Sequence, residues 1–182
     1  MEKIIASIRI RPIRQLKTDP TSIAIRKSGP RSVIALKHSD KFSFERVYGT
    51  ETTNKEVFQL SVRPLIHRAL KGYNVCLFTY GQTASGKTYT MKGSAESPGI
   101  IPQSLRFIFE QYEEMKARES AALGGLQVDI RLSYVEIYNE TINDLLLHGN
   151  TGLRLRIKSD KTLWIENLTR VKVSSYEEAI KQ

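Results

Sequence analysis

Ile4, Ala6, Ile8 and Ile10 alternate with Ser7, Arg9 and Arg11 until Pro12, the two-residue period of a half-buried strand that a proline ends. Residues 22–47 read as a small antiparallel lobe of short strands around Ile23-Ile25, Val33-Leu36 and Phe42-Phe44, punctuated by Ser28-Gly29-Pro30. Thr53-Asn54-Lys55-Glu56 then has the Thr-x-x-Glu form of a capping box. The helix it opens carries Val57, Leu60, Leu65 and Ile66, stops at Gly72 and has a kink site at Pro64. The apolar run from Val75 to Tyr80 predicts a central, buried strand. Leu105, Ile108, Phe109 and Tyr112 fall at helical spacing and predict one core-facing stripe. Ala121 to Gly125 reads as a flexible connection, Val128-Ile130-Leu132 as a strand and Leu163-Trp164-Ile165 as a shorter one. Ser175-Tyr176-Glu177-Glu178 is a second capping box with only four residues after it, which predicts a chain cut inside an element. Strand-like and helix-like segments alternate throughout, the pattern of a layered α/β fold.

Composition changes this picture little. The 182 residues are 40% hydrophobic and 26% charged, which excludes a disordered tail or a fibrous repeat. No apolar run approaches the roughly 20 residues of a membrane span, and the start lacks the apolar core of a secretory signal. One cysteine, Cys76, makes no internal disulfide and suits a reducing, cytosolic setting. Charge is more telling. Residues 1–72 hold 15 basic and 6 acidic side chains, and residues 73–182 hold 13 of each, so the whole net charge of +9 lies in the first part. A basic lobe attracts polyanions or acidic protein surfaces. No aromatic-interleaved basic stretch predicts nucleic-acid stacking.

The candidate chemistry lies in Gly81-Gln82-Thr83-Ala84-Ser85-Gly86-Lys87-Thr88, which fits Gly-x-x-x-x-Gly-Lys-[Ser/Thr] at every fixed position. The glycines permit backbone angles that turn successive amides toward one anion. Lys87 reaches the β- and γ-phosphates, the Thr88 hydroxyl ligates Mg²⁺, and a helix opening near Gly86 aims its positive end at the phosphates. The pattern predicts a bound nucleoside triphosphate. Hydrolysis needs more. None of Asp19, Asp40, Asp129, Asp144 or Asp160 is followed three residues later by glycine, as a γ-phosphate sensor of the Asp-x-x-Gly type requires. Glu166, after Leu163-Trp164-Ile165, reads as an ordinary strand end, and no Asn-Lys-x-Asp guanine signature occurs.

Tyr80 to Met91 resembles the P-loop of the kinesin motor domain, and further motifs follow the family's order. Arg9-Ile10-Arg11-Pro12 is similar to its Arg-x-Arg-Pro, and Phe42-Ser43-Phe44-Glu45-Arg46-Val47-Tyr48 to its Phe-x-Phe-Asp-x-Val-Phe. Gly72-Tyr73-Asn74 and Gly99-Ile100-Ile101-Pro102 fit as well. Ser133 to Glu140 followed by Asp144-Leu145-Leu146 resembles Ser-x-x-Glu-Ile-Tyr-Asn-Glu…Asp-Leu-Leu. Gln103, Tyr48, Thr162 and Asn167 depart from common family residues without touching the nucleotide motif.

The resemblance implies a P-loop NTPase-type layered sheet flanked by helices, with residues 1–182 as the N-terminal part of a motor domain. It implies ATP and Mg²⁺ as cofactors: Gly81, Gln82, Thr83, Ala84, Ser85, Gly86, Lys87 and Thr88 around the phosphates, Thr88 on the metal, and Arg9, Arg11, Pro12 and Tyr89 beside the adenine. Switch I (Asn-x-x-Ser-Ser-Arg-Ser-His) and switch II (Asp-Leu-Ala-Gly) do not occur, so no catalytic residue is assigned. The family is a microtubule-stimulated ATPase; this chain alone is expected to bind nucleotide without full turnover. In the family a strand from the following half lies between the first strand and the P-loop strand, so the sheet is expected to be incomplete, as in a fragment, a truncated gene model or a chain needing a complement. The implied partner is the microtubule, with Lys158 and Lys161 as tubulin contacts or simply solvated loop charges. No nucleic acid or membrane partner is expected, the location is cytoplasmic and cytoskeletal, and dimerisation would use a stalk outside these residues. Two rivals stay open: a non-catalytic module docking on tubulin or another acidic partner, and a P-loop kinase for a small molecule.

Overall fold

The computed structural model describes residues 4–12, 25–29, 31–35, 40–119 and 128–182. Ile23, Leu36, Pro30 and the Ala121–Gly125 connection lie outside the described residues. Along the chain come β1 (Ser7–Arg9), β2 (Ile25–Gly29), β3 (Ser32–Ala35), β4 (Asp40–Ser43) and β5 (Arg46–Tyr48). Helix α1 (Asn54–Val57) continues through a π-helical turn, Phe58–Val62, into α2 (Arg63–Leu70). After α3 (Lys87–Met91) and α4 (Ile100–Glu119) follow β6 (Arg131–Leu132), β7 (Val135–Tyr138), β8 (Thr141–Asp144), β9 (Leu155–Ile157), β10 (Leu163–Ile165), β11 (Val171–Lys172) and α5 (Tyr176–Ile180). The chain divides into two compact units, residues 1–104 and 105–182.

In the first unit β1 pairs with β5 in parallel, Ile8 opposite Val47, and the pairing extends through Ile10 N–H to the Tyr48 carbonyl at 2.9 Å. Strands β2, β3 and β4 make the expected antiparallel lobe, with an irregularity between Lys27 and Gly29. Thr53 caps α1 as its motif predicts: its hydroxyl accepts from Glu56 N–H, and the Glu56 carboxylate accepts from Thr53 N–H at 2.8 Å. Glycine ends α2 as expected. Gly72, at φ 91°, lets Tyr73 N–H reach the Arg68 carbonyl and Gly72 N–H reach that of Ala69, the double bond of a Schellman cap.

Between these ends the helix departs from a regular pitch. Pro64 lacks an N–H and tends to break the ladder; the wide turn Phe58–Val62 lies directly before it, closed by Arg63 N–H on the Phe58 carbonyl. Val57, Phe58, Val62 and Ile66 are buried, and the Tyr48 hydroxyl bonds Ser61 Oγ. Leu60, expected on the core face, is 49% exposed. A regular 3.6-residue count places it inside; the extra residue of the π turn rotates it out.

A second expectation fails. Residues 73–80 form no strand, and Phe78 and Tyr80 are 78% and 96% exposed. Apolar β-branched and aromatic composition favours a strand only where another strand accepts its backbone bonds. Among the described residues nothing pairs with this run.

The second unit is built of hairpins on a helix. Its core joins Phe109, Val173 and Ala179, with Leu105, Tyr112, Ile130, Leu132, Val171 and Tyr176 packed on it. The predicted stripe on α4 therefore holds for Leu105, Phe109 and Tyr112, while Phe107, outside that stripe, is also buried. Strand β6 pairs antiparallel with β11, β7 with β8, and β10 with β9. Asn139 and Glu140, both at positive φ (48° and 61°), close the β7–β8 hairpin in the turn geometry that matches strand twist. Ser175 caps α5, accepting from Glu178 N–H at 3.1 Å, but the Glu178 carboxylate accepts from Ser174 N–H at 2.7 Å and not from Ser175, so only half of the expected capping box forms. Across all described residues the strands form separate sheets of two or three strands.

Candidate functional site

The Gly-rich loop links the unpaired run to α3. Gly81, Ala84 and Gly86 have φ of 158°, 62° and 103°, and Gly86 is the N-cap of α3. A Cβ added at Gly86 would meet nothing within 4 Å; glycine is demanded there by backbone angle, beside open space. The first amides of any helix lack a carbonyl one turn back, so those of α3 are left to capping groups or ligands. Lys87 lies across the loop, its ammonium donating to the carbonyls of Gly81 at 2.8 Å and Gln82 at 2.9 Å. Thr88 is exposed on the first turn. The loop thus combines positive-φ backbone at Ala84 and Gly86, open space beside Gly86, a cation bonded across the loop and an exposed threonine, a set that fits a polyphosphate with a divalent ion.

Strand β1 supplies one wall. Arg11, two residues past β1, donates to the Ala84 carbonyl within the loop. Arg9 stands 5.2 Å from the centroid of the Tyr89 ring, within cation–π range. Its guanidinium also donates to Asn54 Oδ1 at 2.6 Å, Thr90 Oγ1 at 3.0 Å and the Thr52 carbonyl at 2.9 Å. Burial lowers its pKa from the ordinary arginine value, opposed by the neighbouring Tyr89. Arg9 is therefore an internal brace as well as a wall residue. Pro12 is exposed at the end of the strand.

Asn54 is the residue that motif reading passed over. It is 1% exposed, and its amide nitrogen donates to the carbonyls of Tyr89 at 3.1 Å and Ser97 at 3.0 Å. Ser97 also accepts from the Tyr89 hydroxyl at 3.3 Å. It belongs to a tight reversal in which Ser94 N–H bonds the Ser97 carbonyl and Gly99 N–H the Lys92 carbonyl. Gly93, at φ 76°, permits that reversal; a Cβ there would collide with Ser97 O and Gly99 N. The only sequence signal for Asn54 was its place inside the capping box, which explains Thr53 and Glu56 but is silent on the residue between.

The structure thus gathers Arg9, Arg11, Tyr89 and the loop 81–88 in the first unit. Lys158 and Lys161 belong to the second unit, in the turn joining β9 and β10, where Lys158 N–H bonds the Thr162 carbonyl and Lys161 adopts φ 66°. Both are exposed.

The family model for the kinesin motor domain matches residues 11–182. The chain belongs to the kinesin motor domain family. Kinesin-like protein KIN-7N of Arabidopsis thaliana is 36% identical over 187 residues, covering 100% of this chain and 21% of that protein. Centromere-associated protein E of Homo sapiens is also 36% identical, over 96% of this chain and 6% of its own length. A solved fast kinesin superposes with a TM-score of 0.79 at 27% identity, covering 96% of this chain and 49% of that one. This kinesin-family chain therefore spans about half of the solved motor it matches. Its fold is the P-loop NTPase-type α/β fold of the kinesin motor, with an incomplete sheet. No helix among the described residues is long and apolar enough to cross a membrane.

Proposed function

We propose that residues 1–182 are the N-terminal, nucleotide-holding part of a kinesin-type motor domain, comprising the small β lobe near 22–47 and the P-loop 81–88. The observation that carries this reading is the loop itself, with Lys87 across its rim and Arg11 of the Arg-x-Arg-Pro motif bonded to its Ala84 carbonyl. Gly81 to Thr88 hold the phosphates of ATP, chiefly by main-chain amides. Lys87 exchanges its two loop carbonyls for phosphate oxygens, and Thr88 is the chain's ligand to Mg²⁺. Bound Mg²⁺ supplies charge neutralisation of the β- and γ-phosphates. The base lies by Arg9, Arg11, Pro12 and Tyr89.

Coupled hydrolysis and microtubule-based movement belong to a complete domain; in this chain binding without full turnover follows from the lack of both switch motifs. The microtubule is the proposed partner, with Lys158 and Lys161 as contacts on an exposed turn and the cytoplasmic cytoskeleton as the location. The test is titration of MgATP into the 182-residue chain: Lys87→Ala should weaken binding by about a hundredfold, the scale of charged hydrogen bonds lost to a buried phosphate. Unchanged affinity would refute the reading. Microtubule-stimulated phosphate release by the chain alone would refute the absence of turnover.

A non-catalytic docking module is the second reading, favoured by the exposed, basic β9–β10 turn. It predicts co-sedimentation with microtubules that is independent of ATP and lost in high salt.

A further inference from the structure

The Asn54 amide joins four parts of the first unit: β1 through Arg9, the start of α1, the α3 turn through Tyr89, and the 94–97 reversal through Ser97. Its chemistry fits that place narrowly. One planar group must accept from a guanidinium and donate to two carbonyls while fully buried, and buried polar atoms left unpaired are costly. Aspartate accepts but cannot donate, leucine does neither, and serine cannot reach all three. The groups it fixes are the two that form the wall beside the loop: the Arg9 guanidinium and the Tyr89 backbone beneath its ring.

We propose that Asn54 is a positioning residue for the base-side wall of the nucleotide site, holding Arg9 and Tyr89 in register so that the wall recognises a nucleoside base rather than the phosphate chain. The assignment rests on the nucleotide reading above. The side-chain hydrogen bonds of Asn54 go to Arg9, Tyr89 and Ser97, none of them within the 81–88 loop. Its loss therefore loosens the wall and spares the loop. Thr90 supports the same arrangement from the other side, accepting from the same guanidinium nitrogen as Asn54.

The experiment compares two probes by calorimetric titration of the 182-residue chain: MgATP, which uses wall and loop, and inorganic tripolyphosphate with Mg²⁺, which uses the loop alone. Asn54→Ala should weaken MgATP by about tenfold and tripolyphosphate by less than about twofold. Thr90→Val, close in shape and milder to the fold, should shift the same ratio in the same direction by about threefold. Thermal unfolding establishes that each variant is folded, and Thr90→Val carries the test if Asn54→Ala does not fold. A general structural role would lower both affinities together; that result, or an unchanged ratio, overturns the proposal. If the unsubstituted chain binds neither probe, the nucleotide reading fails and the proposal falls with it. If it binds both, Lys87→Ala loses both and the ratio stays fixed, the proposal alone falls.

Discussion

Asn54 and Asp144 are the buried polar side chains of the described residues, one in each unit, and each ties several loop segments with one short side chain. They do so by opposite chemistry. Asn54 accepts from Arg9 and donates to two carbonyls, so its amide needs no charge of its own beside a loop proposed to hold polyphosphate. Asp144 only accepts: its carboxylate takes Leu146 N–H at 2.9 Å, Asn150 Nδ2 at 3.0 Å and Thr169 N–H at 2.9 Å. Bonds from Thr169 first, then from Leu146 and Asn150, hold its pKa well below the usual aspartate value against the cost of desolvation. A mixed donor–acceptor group makes a brace indifferent to pH, whereas an all-acceptor brace requires ionisation.

The sharpest way to break this contrast is to truncate the amide. Asn54→Ala leaves an arginine donor and two carbonyls without their partner and should cost about 3 kcal/mol in urea unfolding, equally at pH 5 and pH 7. A loss below about 1 kcal/mol would mean that water or neighbouring groups replace the amide readily. The second measurement is acid titration of stability. A carboxylate whose folded pKa is depressed contributes fully above its unfolded value, near the ordinary 3.8, and loses that contribution as pH falls toward the folded one. The unfolding midpoint should therefore drop below about pH 4. In Asp144→Asn that part of the acid dependence should vanish, at lower stability near neutrality. An unchanged acid profile in the variant would remove Asp144 from the explanation.

Smaller effects sharpen the distinction between paired and unpaired backbone. Glu140 sits at φ 61° in the β7–β8 turn, a conformation glycine adopts freely. Glu140→Gly should raise stability by about 0.5 kcal/mol, relief of that strain exceeding the entropy glycine adds to the unfolded chain. Phe78→Ser, in the exposed run before the P-loop, should change stability by less than about 0.5 kcal/mol. A loss of 2 kcal/mol or more, the cost expected of an emptied core site, would show that Phe78 is buried in solution.

What the sequence made legible follows the range of the forces involved. The P-loop, the Thr53 and Ser175 caps and the Gly72 stop are local patterns, complete within a few residues, and the structure forms each cap at the predicted place. Asn54 was illegible because its partners Arg9, Tyr89 and Ser97 lie 45, 35 and 43 residues away. Val75 to Tyr80 misled for the same reason in reverse. Its composition states a preference for extended chain, but a strand exists only when a distant segment accepts its hydrogen bonds. Leu60 misled through geometry alone, since an even helical count has no symbol for a widened turn.

That widened turn has a further reach. The π-helical residues Phe58–Val62 insert a phase step between the end of the helix anchored at Asn54 and the end capped at Gly72. Deleting one residue from it would restore ordinary winding and leave Ile66, with everything after it, on about the same face, because the wide turn takes up one extra residue for nearly the same rotation. The wide turn thus lets the two ends keep their faces with one residue more between them, and a further insertion, with no second wide turn to absorb it, would rotate α2 by about 100° around its axis.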